Sequence, residues 1–146
     1  MRKNVATLCF LVLLSASAFG KSKLEGVWQT VEVKTLAGPK PGTFTKEPGV
    51  LIFTEKHYSM IIPLSDTRTQ IDQGKGTAEE WRDLWGPFIA NSGTYEISGE
   101  ALTTRPTVAK NPGVVKAAPA KHSFHVDGDT LTITSPTLNV TLKRLE

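Results

Sequence analysis

Two anchors at opposite ends of the chain, one aromatic and one basic, constrain its fold more than any other feature. Gly26-Val27-Trp28 opens the first strand-like segment, and Lys143-Arg144 lies in the last one. Because side chains alternate between the two faces of a strand, Arg144 continues the apolar row that begins at Leu138. A guanidinium over an indole contributes about 0.5 to 2 kcal/mol. The alternation therefore places Arg144 on the inward row at the end of the last strand, a position from which it can lie over Trp28.

From residue 24 onward, short runs of alternating or β-branched residues are separated by turn residues, a pattern typical of strands. Residues 36–49 and 109–120 contain several Gly and Pro residues and are predicted to be loops. Asp127-Gly128 predicts a hairpin with a type I′ turn. Eight antiparallel strands can close into a barrel that holds one small ligand. We therefore predict an all-β, eight-stranded, antiparallel up-and-down barrel, with strands at residues 24–34, 50–54, 57–64, 92–97, 100–108, 122–126, 130–134 and 138–145.

One short helix is predicted within this barrel. Thr77-Ala78-Glu79-Glu80 fits a capping box, in which the threonine hydroxyl accepts from a helix amide and the last glutamate reaches back to the threonine amide. Trp81 and Trp85 follow at helical spacing, and Gly86-Pro87 indicates an end near Trp85. We expect the aromatic face of this helix to pack on the barrel. Trp85 contacts a ligand if the helix acts as a lid.

Residues 1–20 are predicted to be a secretory signal peptide. Arg2-Lys3 make a positive start, a short apolar core follows, and the small residues up to Gly20 offer a cleavage site. We favour cleavage after Gly20, and cleavage after Ala18 is the alternative. The apolar core is too short to span a membrane as a helix. The domain is then residues 21–146, exported to the periplasm or secreted, with no transmembrane segment after removal of the signal.

Composition excludes several classes of site. The only cysteine, Cys9, lies in the predicted signal, so the domain has no disulfide, thiol nucleophile or thiolate metal site. The net charge is +3 from 17 basic and 14 acidic residues, and removal of Arg2 and Lys3 leaves 15 basic residues. The remaining sequence has no cluster of basic residues that could contact a nucleic-acid phosphate backbone, so we do not expect nucleic acid as a partner. The three histidines fall on separate or opposed faces, so we predict no metal site, and no cofactor is expected.

Four stretches spread over the chain carry a family resemblance, and Arg144 adds a terminal basic residue. The most specific is Phe88-Ile89-Ala90-Asn91-Ser92-Gly93-Thr94-Tyr95; the others are Gly26-Val27-Trp28, the hairpin from Gly49 to Met60, and Asp127 to Ile133. In these residues the chain resembles the bacterial lipocalin-like domain family, within the lipocalin and calycin group. The resemblance implies a barrel with a pocket, closed at its narrow end by Gly26, Trp28 and Arg144, and implies no single reaction. Such domains often carry histidines where this chain has Leu102-Thr103-Thr104, which weakens any chemistry that needs an imidazole there.

Strand alternation predicts the side chains that line the barrel. We expect a mostly apolar interior with a few polar points, the usual composition of a small-molecule pocket. The alternative is a filled core, because the interior of eight strands is small enough for side chains to fill. His122 is the best candidate for chemistry because it shares a face with Phe124, although a lone histidine is more often a hydrogen-bonded wall residue. The predicted ligand-binding residues are Tyr58, Met60, Ile62, Trp85, Tyr95, Thr104, His122 and Phe124.

Three functions are compatible with these patterns. The first, which we favour, is a noncatalytic carrier of a small, largely apolar molecule outside the cytoplasm. The second is an isomerase or cyclase that acts on a lipid or polyketide-like substrate, with His122 or Tyr58 moving a proton. The third is an envelope-associated protein that binds a partner through the aromatic helix or the two Pro-containing loops. The sequence assigns neither the ligand nor the oligomeric state.

Overall fold

The computed structural model describes residues 22–37, 41–68, 70–72 and 74–146. The predicted signal peptide, residues 1–20, lies outside these ranges. Within them, no helix is both long enough and apolar enough to cross a membrane. In chain order the elements are β1 (Gly26–Thr35), β2 (Gly42–Phe44), β3 (Val50–Phe53), β4 (His57–Pro63), α1 (Ala78–Trp85), β5 (Phe88–Ser98), β6 (Ala101–Ala109), α2 (Pro112–Lys116), β7 (Ala120–Asp127), β8 (Thr130–Thr134) and β9 (Leu138–Arg144).

The strands form one closed antiparallel barrel. From β3 to β9 each strand pairs with the next along the chain, and β1 closes the ring by pairing with both β3 and β9. Strand β2 does not widen the ring, because it pairs only with the last three residues of β1, in line with β3 on the same side. The predicted eight-stranded up-and-down barrel is therefore confirmed.

The two ends of the barrel differ. The pair of Trp28 with Arg144 lies at one end of the β1–β9 ladder, and the pair of Thr35 with Leu138 lies at the other. The short turns after β3, β5 and β7 lie at the Trp28 end, which we call the closed end. The longer connections that contain β2, α1 and α2 lie at the opposite end, which we call the loop end.

Alternation along the strands fills the interior with apolar side chains. On β4, Tyr58 and Ile62 are buried, whereas Ile61 between them is 54% exposed. Burial of such side chains is the main favourable term in folding. The buried apolar residues form one cluster: Leu24, Trp28, Val33, Leu51, Phe53, Tyr58, Ile62, Tyr95, Leu102, Leu131, Val140 and Leu142.

Strand β1 changes face at Val31. Thr30 and Glu32 pair with successive residues of β9, so Val31 is an extra residue in a β-bulge. As a result Val31 is 41% exposed, whereas Val33 is buried. The Thr30 hydroxyl accepts a hydrogen bond of 2.5 Å from the amide of Gly49, the residue just before β3. This bond links the segment between β2 and β3 to the bulge.

Helix α1 begins at the predicted capping box. The Thr77 hydroxyl accepts from the Glu80 amide at 3.2 Å, and a Glu80 carboxylate oxygen accepts from the Thr77 amide at 2.7 Å. These two bonds satisfy donors that a helix start otherwise leaves unpaired. The predicted helix start is therefore confirmed.

Both segments predicted to be loops contain regular structure. Residues 109–120 include the single-turn helix α2, whose Asn111 side chain accepts from the Gly113 amide at 2.9 Å and whose first residue is Pro112. Proline is favoured at that position because it has no amide to leave unpaired. Residues 36–49 include β2, which forms only because β1 supplies its partner. The prediction of continuous loops is wrong at these two places.

The β7–β8 turn differs from its predicted type. Asp127 pairs with Thr130, so Gly128 and Asp129 are the two central residues. Gly128 has a φ of 55°, and no non-glycine residue among those described has a positive φ. A type I′ turn needs positive φ at both central residues, whereas type II′ needs it only at the first. The turn therefore has the type II′ pattern, and the type I′ prediction is wrong.

Candidate functional site

The closed end of the barrel is held by an arginine over a tryptophan. The guanidinium carbon of Arg144 lies 4.0 Å from the centroid of the Trp28 ring. Its two terminal nitrogens donate to the carbonyls of Glu25, at 2.7 Å, and Lys23, at 2.8 Å. The buried Trp28 indole donates to the Leu24 carbonyl at 2.8 Å. These contacts hold the end of β9 against the residues that lead into β1. The expected contact between Arg144 and Trp28 is therefore present.

Gly26 permits the close approach of the last residues. Its φ of 135° lies in a region that L side chains rarely adopt. A Cβ atom there would lie 2.3 Å from the Glu146 carbonyl oxygen and 2.7 Å from an Arg144 guanidinium nitrogen. Gly26 is thus required both by backbone conformation and by space.

A cavity of about 330 Å³ lies inside the barrel and extends to the loop end. The structure therefore has a pocket and not the filled core of the alternative. At the loop end its rim includes Ala37, Thr137 and Val114, the last of which is 37% exposed. Most of the lining side chains are apolar. The complete lining consists of Thr35, Ala37, Leu51, Phe53, Met60, Ile62, Leu64, Ile89, Asn91, Leu102, Thr104, Pro106, Val114, Ala120, His122, Ile133, Ser135, Thr137, Leu138 and Val140.

The polar groups in the middle of the cavity share one wall. Asn91, Thr104 and His122 come from the neighbouring strands β5, β6 and β7. Behind them the Tyr58 hydroxyl donates to Asn91 Oδ1 at 2.6 Å. Thr104 Oγ1 lies 3.4 Å from His122 Nε2. The four side chains form one polar row, and the other polar lining residues, Thr35, Ser135 and Thr137, lie at the loop end.

Burial shifts the protonation of two members of this polar row. It raises the pKa of Tyr58, because the phenolate would lose water, and a hydrogen bond with Thr104 opposes the rise. Burial lowers the pKa of His122, because the imidazolium is the charged form. Near neutral pH the row therefore consists of an uncharged phenol, amide, hydroxyl and imidazole.

The predicted ligand-binding residues fall into two groups. Met60, Ile62, Thr104 and His122 line the cavity. The other four do not line it, although Tyr58 reaches it indirectly through its bond to the Asn91 side chain. Contact with a ligand stays a prediction for the lining group.

The three remaining predicted residues lie away from the cavity for identifiable reasons. Tyr95 lies toward the closed end, where its hydroxyl donates to the Thr54 carbonyl at 2.7 Å. Phe124 is half-buried and packs on the core cluster without lining the cavity. Trp85 is 57% exposed, and its ring centroid lies 5.7 Å from that of Phe88, with the two rings tilted by 33°. Trp85 is not among the residues that line the cavity.

Asn91 is a polar lining residue of the cavity that the sequence patterns did not predict. Strand β5 begins at Phe88, four residues before the predicted strand, so Asn91 lay outside the predicted alternation. It has the same parity as Tyr95, and extension of that row by two steps reaches it. The spacing from Tyr95 therefore indicated that Asn91 faces inward. The strand was not extended back to Asn91 because the residues at its start are polar.

The cavity contains no fixed charge among the residues described. No Lys, Arg, Asp or Glu side chain is part of its lining in that part of the chain. Nor do the described residues bring together three or more His, Cys, Asp or Glu side chains that could hold a metal ion. The arrangement can bind an apolar body and offer it hydrogen bonds from neutral groups.

Comparison with known proteins gives a family match over almost the whole described domain. The sequence model of the family described as "Lipocalin-like domain" matches residues 25–144. No curated protein matches the chain. The chain is similar to a solved lipocalin-like protein from Bacteroides uniformis ATCC 8492, with 13% identity, a TM-score of 0.49, and coverage of 84% of this chain and 98% of that one. It is also similar to an uncharacterized protein from Bacteroides eggerthii DSM 20697, with 9% identity, a TM-score of 0.47, and coverage of 83% and 98%. Neither structural likeness supports an inference about function.

Proposed function

This chain belongs to the lipocalin-like domain family, and on that premise we propose that it binds a small, largely apolar molecule inside its barrel. The observation that carries the proposal is the cavity of about 330 Å³ with its mostly apolar lining. Pockets of this kind, with a few placed polar groups, are typical small-molecule sites.

The cavity volume limits the size of the ligand. An engineered cavity of about 150 Å³ holds benzene, so about 330 Å³ accommodates roughly a dozen non-hydrogen atoms. Because the cavity reaches the rim at Ala37 and Val114, a longer molecule extends beyond it at the loop end. Removal of the apolar part from water supplies the affinity, at about 25 cal/mol for each Å² buried.

A fluorescence titration with N-phenyl-1-naphthylamine tests this proposal. The probe is uncharged and brightens in apolar surroundings. We expect saturable binding to the unmodified protein and about tenfold or greater loss of affinity in Ile62→Phe, because the added ring takes up cavity volume. Ile61→Phe is the matched control, since the same change one residue earlier points away from the barrel and should leave affinity unchanged.

A second variant and a second measurement keep this test decisive. Ile133→Phe adds a ring from another wall of the cavity and replaces Ile62→Phe if circular dichroism shows that variant to be unfolded. Native mass spectrometry of protein purified from its own host identifies any retained molecule. Absence of both probe binding and a retained molecule, or equal loss in Ile61→Phe, would overturn the proposal.

We further propose that the domain acts after export, in the periplasm or outside the cell. The support is the sequence of residues 1–20, with its positive start, short apolar core and small residues, and the family match begins after it, at residue 25. Cell fractionation and N-terminal sequencing test this. An N-terminus at residue 21 or 19 outside the cytoplasm is expected, and full-length protein in the cytoplasm would remove the proposal.

A second candidate function is protein binding through α1, favoured by one observation: Trp85 is 57% exposed at the end of that helix. Tryptophan is enriched at the energetic centres of protein interfaces. A photo-crosslinking residue placed at position 85 in the native host should give one discrete adduct if this function holds. Recovery of monomer alone counts against it.

A further inference from the structure

We propose that the ligand carries one uncharged hydrogen-bonding group, a hydroxyl or carbonyl, which Asn91 and His122 hold against one wall of the cavity. This inference rests on the proposed function, because it assumes that the cavity is the binding site. It adds the chemistry of the ligand head and the direction in which that head faces.

The distribution of polar atoms fixes that direction. Asn91, Thr104 and His122 lie on the consecutive strands β5, β6 and β7, three of the eight strands of the ring. Across the ring, β8, β9 and β3 present the apolar side chains of Ile133, Val140 and Leu51. The polar lining residues on that side, Thr35, Ser135 and Thr137, all lie at the loop end. Away from the loop end, a bound molecule therefore meets hydrogen-bonding groups on one side and hydrocarbon on the other.

Two groups on the polar wall have hydrogen-bonding capacity left over. Asn91 Oδ1 already accepts from the Tyr58 hydroxyl, and among the described residues the two amide hydrogens of Asn91 have no partner. Only one ring nitrogen of His122 lies near a polar atom, Thr104 Oγ1, and Nδ1 has no partner in the described part of the chain. A purely apolar ligand would shut these groups off from water without replacing their hydrogen bonds, which is unfavourable.

The absence of charge among the described lining residues excludes ionised heads from the wall. Burial of an unpaired charge is far more costly than burial of a neutral polar group. The lowered pKa of His122 keeps its imidazole neutral near pH 7, so it offers no counter-charge to a carboxylate. Asn91 donates, and a neutral imidazole donates or accepts according to its tautomer. This pair suits a hydroxyl or carbonyl oxygen and not an ammonium or carboxylate.

Four probes of one shape test the inference by isothermal titration calorimetry at pH 7.5: naphthalene, 2-naphthol, 2-naphthoate and 2-naphthylmethylammonium. The measured quantity is the ratio of the naphthol affinity to the naphthalene affinity, in the unmodified protein and in each variant. Division of one ratio by the other cancels the difference in hydration between the two probes. His122→Phe and Asn91→Leu remove the wall groups, and His125→Phe, on the outer face of β7, is the matched control.

We expect His122→Phe and Asn91→Leu each to lower the ratio by roughly three- to tenfold, the effect of one net hydrogen bond. Naphthalene binding should persist in both variants, which shows that the cavity is intact, and His125→Phe should leave the ratio unchanged. The two charged probes should bind about tenfold or more weakly than naphthol.

The two proposals fail in different ways in this experiment. If no probe binds the unmodified protein, the cavity is not a site and both proposals fall. If naphthalene binds but the ratio does not change in His122→Phe or Asn91→Leu, the proposed function stands and the head-group inference is overturned. Binding of naphthoate as tight as that of naphthol also overturns it.

Discussion

Replacement of Arg144 by methionine should destabilise the barrel by about 2 to 4 kcal/mol. The guanidinium lies 4.0 Å from the Trp28 ring centroid, a contact that contributes roughly 1 kcal/mol at a half-buried position. It also donates to the carbonyls of Glu25 and Lys23, and hydrogen bonds from a charged donor contribute about 1.5 kcal/mol each at the lower end of their range. Methionine keeps the apolar stem and removes all three interactions.

Urea unfolding followed by circular dichroism measures this loss. With a slope of about 2 kcal/mol per M, the midpoint should fall by roughly 1 to 2 M. Lys143→Met is the matched control, because the neighbouring side chain is exposed and its replacement should change stability by less than about 0.5 kcal/mol. A midpoint for Arg144→Met equal to that of Lys143→Met would refute the reasoning that this arginine locks the closed end.

Two further predictions follow from the same structure. Gly26→Ala should destabilise the protein by about 3 kcal/mol or more, since strain at positive φ adds to the clash with the Glu146 carbonyl. Gly99→Ala is the control, because Gly99 has positive φ but open space around it, and it should cost only about 1 to 2 kcal/mol. Equal losses of stability in a urea titration would contradict this. Because burial lowers the folded-state pKa of His122 below its ordinary value of about 6.5, the unfolded chain binds the proton more readily. The contribution of this group to stability is complete above about pH 6.5 and is lost as pH falls below it. His122→Phe should therefore flatten the stability profile between pH 7.5 and pH 5. A profile for His122→Phe that runs parallel to that of the unmodified protein would contradict the assignment.

Features set by local pattern were predictable from the sequence. The alternation that buries Tyr58 and Ile62 and exposes Ile61 needs only the two-residue period of a strand. The capping box of α1 needs only the spacing of Thr77 and Glu80. These signals survive in the fold because each of them agrees with the barrel that surrounds it.

Features set by pairing between distant segments were not predictable. The bulge at Val31 exposes one valine and buries another, Val33, and the alternation in the sequence does not distinguish between them. Strand β2 forms in a segment rich in Gly and Pro because β1 extends past β3 and offers free backbone groups. The cavity volume likewise depends on side chains from eight strands at once, so the sequence left a pocket and a filled core as alternatives.

The position of the polar row shows the same division. Thr104 and His122 were assigned to the interior by alternation alone, and both line the cavity. Their contact at 3.4 Å, and the bond of Tyr58 to Asn91, join residues 18 and 33 positions apart in the chain. No local pattern predicts which of these residues meet, so the row emerges only from the register of the strands.

The most direct test of the central claim, that the barrel interior is the binding site, is a set of intermolecular nuclear Overhauser measurements. The isoleucine methyl groups are labelled, and contacts to bound N-phenyl-1-naphthylamine are recorded. The account predicts contacts to Ile62 and Ile133, which line the cavity, and none to Ile61, which is 54% exposed on the outer face. Contacts to Ile61 without contacts to Ile62 and Ile133 would contradict it.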